Sequence, residues 1–382
     1  MAAARKDTAP PQRRNTNGEV TANTSPLHSP FRNSHGPDPA VTAEPKMIRI
    51  TCQVASWPLK RPFTISRGSR THARTIIITL QDDQGHAGRG EAVPYPRLNE
   101  TPEAAMDEIA AFGGILPDAL SHEDIPRLAR LRCVRNALDC ALWDLRARRE
   151  GKAVWQLAGL SPPGPVETAC TVSLAAPDEM AEEAAGRLRE GMKLLKIKLG
   201  SADVAADRER LSAVREAVPA ARLIVDANEG WPAEALADLL AHCAALGVEM
   251  VEQPLPEGDD GILSEIEVPS PLVICADESV RDMEDLDRLA PGYGAVNIKL
   301  DKAGGLSSAL ALAAAAKARG LKIMAGCMLG SSLSMAPAFL LAQQADWVDL
   351  DAPLLLADDA RPSMTYQGAL MQPPDPALWR AV

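Results

Sequence analysis

The chain of 382 residues is 46% hydrophobic and 24% charged, which allows one large core or two smaller ones in an ordinary soluble protein. A formal net charge of -11 with scattered Lys and Arg offers no field to a nucleic-acid backbone, and no charge-free run reaches the roughly 18 apolar residues of a membrane span. The seven cysteines, odd in number and without a CxxC pair, read as reduced, buried thiols of a cytoplasmic protein.

Residues 1–46 are rich in Pro, Ser, Thr, Asn, Arg and His and nearly lack large apolar side chains. Such a segment cannot bury enough surface to offset its ordering entropy, so a disordered tail is expected, with Met47 as an alternative start. Arg5, Arg13 and Arg14 hint at a transit peptide, against which Asp7 and Glu19 count; the apolar centre of a signal peptide is missing. From Met47 the runs "MIRITCQVA", "KRPFTISRGSRTHA" and "RTIIITLQD" read as a strand meander, and "VRNALDCALWDLRARREG" as an amphipathic helix. Residues 47–160 are therefore expected to be α+β.

After "GPVE" short apolar runs alternate with helical segments at intervals of roughly 25 residues, the rhythm of βα units. The eight runs are "TACTVSL", "LLKIKLG", "RLIVDAN", "VEMVEQP", "LVICADES", "AVNIKLD", "KIMAGCM" and "WVDLDAP". Nearly continuous apolar strands imply a parallel sheet covered by helices such as "LSSALALAAAAKARG", and a barrel over residues 161–352 is its natural closure. An open doubly wound sheet is the alternative, but no GxGxxG or P-loop follows an early strand.

Catalytic groups of such barrels come from the C-terminal strand ends. Here the runs end in Lys196 and Lys198, Asp226, Glu252, Asp277, Lys299, and Asp349 with Asp351. Any one acid could be a loop residue or a helix cap. Asp226, Glu252 and Asp277 on three consecutive strands, however, would meet at one mouth and repel unless a cation joined them. Oxygen donors without His or Cys suit Mg²⁺ better than Zn²⁺. Lys196 and Lys198, two positions apart, share a face. Lys198 and Lys299 lie across the barrel from each other, so one amine could take a proton from a carbon and the other return it. A lysine base needs a destabilised ammonium form, and Lys196 is expected to supply the neighbouring charge for Lys198. Lys302 reads as a snorkelling surface residue or a spacer.

Taken together, "KIK", "DAN", "EQP", "ADES" and "NIKLDKAGG" resemble the enolase superfamily, in the subgroup with lysines after strands 2 and 6, over roughly residues 47–375. The resemblance implies a modified TIM barrel of the (β/α)7β type, an N-terminal α+β capping domain and a C-terminal segment, 353–382, packing back on the cap. It implies one Mg²⁺ per subunit on Asp226, Glu252 and Asp277, with Lys198 and Lys299 as the acid and base and Lys196 as their partner. The shared step is removal of a proton α to a carboxylate. "DLD", Asp349 and Asp351, is similar to the DxD pair with which dipeptide epimerases hold a substrate ammonium, although an acidic loop is the plainer reading.

The loops "PFTISRGSRTHAR" and "GEAVPYPRLNE" resemble the substrate loops of the branch acting on L-Ala-D/L-Glu. They offer Arg70, then Arg67, as partners of the glutamate side chain, with Thr171 and "GCMLGSS" as further contacts. The implied activity is epimerisation of the C-terminal residue of a dipeptide, a small-molecule substrate, in cytoplasmic recycling of cell-wall peptide. No nucleic-acid or membrane partner is implied, and a homo-oligomer stays open. Lyases, cycloisomerases and N-acylamino acid racemases, acting on carboxylates without a free amine, are the alternative enzymes; a scaffold protein on the same barrel is the non-enzymatic one.

Overall fold

The computed structural model describes residues 46–201 and 203–382; apart from Lys46, the tail expected at 1–46 lies outside the described residues. Strands Met47–Ile65, Gly68–Gln81 and Ala87–Ala92 form the antiparallel meander, with the short Ile115–Pro117 on its other edge. Period-two alternation buries Ile48, Ile50, Ile76, Ile78 and Leu80 against Val134, Leu138 and Leu142 of the helix Arg132–Glu150. That helix lies close to the third strand: a Cβ on Gly88 or Gly90 would stand 2.2 Å from Ala141 O or 2.1 Å from Ala137 O. In the long first strand the register shifts between Pro58 and Phe63, where Pro58 and Pro62 cannot donate to the ladder. Beyond the shift the hairpin leans on the barrel, and Thr64 O accepts from Leu174 N at 3.1 Å.

All eight predicted barrel strands form, at Cys170–Val172, Leu194–Lys198, Arg222–Asp226, Val248–Glu252, Val273–Ala276, Ala295–Lys299, Lys322–Gly326 and Trp347–Asp349. Each pairs in parallel with its neighbour in sequence, and Ala169 N donating to Val348 O at 2.7 Å joins the first to the last. The connections are helical, except that the fourth strand is followed by the 3-10 turn Asp260–Glu265. Outward residues such as Ile197, Val225, Val251 and Ile298 pack under the helices. Inward, one residue per strand (Ala169, Leu194, Ile224, Met250, Cys275, Ala295, Met324, Trp347) builds a separate apolar plug. This plug closes one end of the barrel, so function is confined to the other.

Leu370–Met371 pairs with Val166–Glu167, and the buried Trp379 donates from Nε1 to Cys140 O at 3.0 Å, so the C-terminal segment rests on the cap helix. No described helix is long and apolar enough to cross a membrane. The seven cysteines are free thiols, but Cys52 and Cys327 are half-buried rather than buried, the first on the cap sheet and the second in the wall of the cavity described below. Because the Ala137 and Ala141 carbonyls leave no room beside the third cap strand, Gly90→Ala is expected to cost about 2 kcal/mol through overpacking. The measurement is a urea titration, in which the midpoint falls at unchanged slope.

Candidate active site

The alternation that places the plug also places the chemistry. Two residues beyond Leu194, Ile224, Met250, Cys275, Ala295 and Trp347 on the same inward face stand Lys196, Asp226, Glu252, Asp277, Asn297 and Asp349, all buried. Lys198, Lys299 and Asp351 come two further on. On the seventh strand the corresponding residue is Gly326, where a Cβ would stand 2.3 Å from Asn297 Oδ1. Above this layer opens a cavity of about 570 Å³, walled by Lys196, Lys198, Lys299, Asp349 and Asp351 below and by Phe63, Arg67 and Tyr95 of the cap above.

The carboxylates do not close on one another. They interleave with lysines, and among the described residues no three acidic, His or Cys side chains surround a common point. Lys196 Nζ sits 3.1 Å from Asp226 Oδ2, 2.7 Å from Glu252 Oε2 and 2.9 Å from Asp349 Oδ2. Lys198 Nζ reaches Asp226 Oδ2 at 2.6 Å, and Lys299 Nζ reaches Asp277 Oδ2 at 2.8 Å. Lys196 and Lys198 thus share a carboxylate oxygen, and the pair is not left to mutual repulsion. Strand register causes this, since Lys198 lies opposite Asp226 and Asp226 opposite Glu252. Burial opposes the charge on Lys196, yet Asp349, Glu252 and Asp226 hold it well above the usual lysine range. Lys299 is raised in the same way, against burial, by Asp277 and Glu252. Burial would raise Asp226 and Asp277, but their lysines hold both below the ordinary carboxylate range.

Buried acceptors nevertheless outnumber donors. Asp349 Oδ1, Asn228 Oδ1 and Glu278 Oε2 have no hydrogen-bond partner, and Glu252 Oε2 has only the Lys196 contact, outside hydrogen-bonding geometry. Burial first, then Asp226, pushes the Glu252 carboxyl up; burial first, then Asp349, pushes Asp351 up to about 6. Such a site accepts further positive charge. Asp226, Glu252 and Asp277, hard oxygen donors at adjacent strand ends, fit a divalent cation such as Mg²⁺.

At the cap, Arg67 and Arg70 part company. Ile65 pairs with Gly68, so Arg67 falls at the hairpin tip, while Arg70 returns along the second strand opposite Phe63. Arg67 donates to Glu278 Oε1 at 2.8 Å, Glu229 Oε2 at 3.0 Å and Asn228 O at 3.1 Å; Arg70 stays exposed at the cavity rim. Both arginines line the cavity, Arg67 tied to barrel carboxylates and Arg70 at the exposed rim. Thr171 lines the cavity and its backbone N–H donates to Asp351 Oδ2 at 2.6 Å. Met328 and Leu329 of "GCMLGSS" line it too.

Lys302 is a correction. It is neither surface nor spacer but buried, reaching Asp277 Oδ1 at 2.5 Å and the carbonyls of Asp277, Val280 and Asn297. A short helix, Leu300–Ala303, turns it back beneath the fifth strand, which linear spacing does not reveal. Asn297 was legible, two positions before Lys299 on the inward face; Glu278 and Glu229 sit in turns without a period.

Residues 47–159 match the mandelate racemase / muconate lactonizing enzyme N-terminal domain, and residues 179–375 the enolase C-terminal domain-like family. The chain belongs to the enolase superfamily. L-Ala-D/L-Glu epimerase of Escherichia coli (strain K12) is 45% identical over 81% of this chain and 95% of that protein. N-acetyl-D-glutamate racemase of Pseudoalteromonas sp is 38% identical over 80% of this chain and 95% of that protein. The structure of an enolase family member from Agrobacterium tumefaciens with homology to dipeptide epimerases, with bound sodium, L-Ala-L-Glu and an ordered loop, is 46% identical at a TM-score of 0.81, covering 87% of this chain and 99% of that one. Three further solved relatives, 27% to 30% identical with TM-scores of 0.79 to 0.80, are complexes of Mg with a dipeptide.

Lys302→Met removes the cation beneath Asp277 and leaves three carbonyls without that donor. Breaking a buried pair in this way is expected to cost about 3 kcal/mol or more by chemical denaturation. The exposed Lys317→Met is the control, expected to stay within about 0.5 kcal/mol.

Proposed function

We propose that the chain is a Mg²⁺-dependent dipeptide epimerase that inverts Cα of the C-terminal residue of L-Ala-D/L-Glu. One observation carries the reading: Lys198 and Lys299, from opposite sides of the barrel, line a cavity whose wall also presents Asp349 Oδ1, a buried anionic acceptor without a partner. Two amines at one carbon suit proton exchange between its faces. An unsatisfied carboxylate oxygen suits a substrate ammonium, which a dipeptide has and a simple carboxylic acid lacks.

In this reading Asp226, Glu252 and Asp277 hold the cation. Bound there, Mg²⁺ supplies positive charge that stabilises the developing negative charge on the substrate carboxylate and lowers the proton affinity of lysines sharing its ligands. The neutral lysine takes the α-proton, the C–H electron pair moves into the conjugated carboxylate, and the opposite ammonium returns a proton to the other face. Lys196, bound to Asp226, Glu252 and Asp349, fixes the carboxylates on either side of the reacting carbon. Asp349 and Asp351 take the ammonium, Asp351 being oriented by the Thr171 N–H. Arg70, then Arg67, both lining the cavity, take the glutamate side chain. The cytoplasmic recycling of cell-wall peptide goes with this activity.

A second reading, racemisation of an N-acylated glutamate, is favoured by the relative with that activity. The amine decides between them. In D₂O with Mg²⁺, the α-proton signal of L-Ala-L-Glu is expected to disappear with formation of the D-Glu epimer, and N-acetyl-L-glutamate to exchange at least about a hundredfold more slowly. The reverse order of rates favours the racemase, and exchange of neither sinks both. Lys198→Ala and Lys299→Ala should each lower epimerisation by about 10³-fold or more, and EDTA should abolish it until Mg²⁺ is returned.

A further inference from the structure

We infer that Glu229 is a positioning residue, which draws two separate cap loops onto the barrel mouth and sets the hairpin that carries Arg67 and Arg70 where the substrate's side-chain carboxylate arrives. The role of the latch rests on geometry; the identity of what the hairpin receives rests on the dipeptide reading above. Glu229 follows the third barrel strand on a backbone with φ of +46° at Asn228 and +67° at Glu229, left-handed values that non-glycine residues seldom adopt. Two such residues in succession lift the carboxylate away from the barrel axis and towards the cap.

There the Glu229 side chain, only 7% exposed, accepts from Arg67 at 3.0 Å, from Arg97 at 2.6 Å and from the Glu257 backbone N–H at 2.8 Å. Arg67 is the tip of the first cap hairpin, and Arg97 belongs to the turn Pro96–Leu98 after the third cap strand. Directly, these loops share a long hydrogen bond of 3.5 Å from Arg67 to the Tyr95 hydroxyl. Glu278 touches both more unevenly, at 2.8 Å to Arg67 and 3.5 Å to Tyr95. Glu229 therefore couples them through short charged contacts on both sides. Arg97 goes on to Glu257 at 3.3 Å, and Glu257 to Arg281 at 2.6 Å, so charge alternates around the rim from Glu278 to Arg281. Without the Glu229 charge, Arg67 keeps Glu278 and Arg97 keeps Glu257, but no carboxylate joins the two guanidinium groups, and their repulsion loosens both loops at the mouth.

Glu229→Gln keeps the shape and removes the charge. In the full-length protein without substrate, trypsin is expected to cut the Arg67–Gly68 bond at least about tenfold faster than in wild type, with unchanged circular dichroism. In steady-state epimerisation of L-Ala-L-Glu, KM should rise about tenfold and kcat stay within about threefold, as for loss of a charged hydrogen bond that places a binding group. Arg97→Gln, at a side chain 33% exposed, removes the latch from its outer end and should move cleavage and KM in the same direction. Wild-type cleavage rates in both variants, or a fall in kcat at unchanged KM, would overturn the inference. Should wild-type protein leave L-Ala-L-Glu untouched, the substrate reading falls, while the proteolysis of the two variants still decides the latch.

Discussion

The structure depends on charge compensation inside a dry barrel. Removing a charged group from water costs several kcal/mol even after relaxation, so isolated lysines at these depths could not persist in charged form. Lys196, Lys198, Lys299 and Lys302 are instead set among Asp226, Glu252, Asp277 and Asp349, four ammonium groups against four carboxylates. Lys196 touches three of the four acids, and Lys302 pins the remaining one from beneath. Acids beyond this balanced set, Asp351 and Glu278, are pushed up to about 6 and about 7, chiefly by burial and then by neighbouring carboxylates. The lattice sets these lysines and carboxylates against one another, while its unpartnered acceptors remain open to added positive charge.

The cap completes what the barrel begins. Strand ends supply charged groups but no lid, and the cavity above them is closed by Phe63, Arg67 and Tyr95. The Phe63 ring centroid lies 5.9 Å from Lys198 Nζ, an apolar and polarisable roof over one of the two amines. The cap in turn is fastened to the barrel by buried polar contacts. Glu91 accepts from Trp57 Nε1 and from Ser331, and Asp301, two residues past Lys299, accepts from Val93 N at 3.0 Å and Asn136 Nδ2 at 2.9 Å. The short helix Leu300–Ala303, which follows Lys299, is thereby tied to the loop that roofs the cavity.

Much of this was written locally. Eight apolar runs, six of them with a charge at the C-terminal end, gave strands, barrel and mouth, because side-chain alternation is fixed by backbone geometry and survives any tertiary arrangement. Asn297 followed the same rule. Lys302 did not, since the turn that carries it under Asp277 reverses the chain within four residues. Arg67 and Arg70 were visible as a pair, but which one reaches the barrel carboxylates depends on where the hairpin closes, at Ile65 and Gly68.

The sequence by itself determined which residues line the barrel and at which end they gather, for both follow from a period of two along each strand. Tertiary structure decided who is bonded to whom. Whether Lys196 opposes Lys198 or shares Asp226 with it, and whether three carboxylates meet each other or a lysine, is settled by register between strands far apart in the chain. Electrostatic energy depends on distances across that register, and no spacing along one strand encodes them.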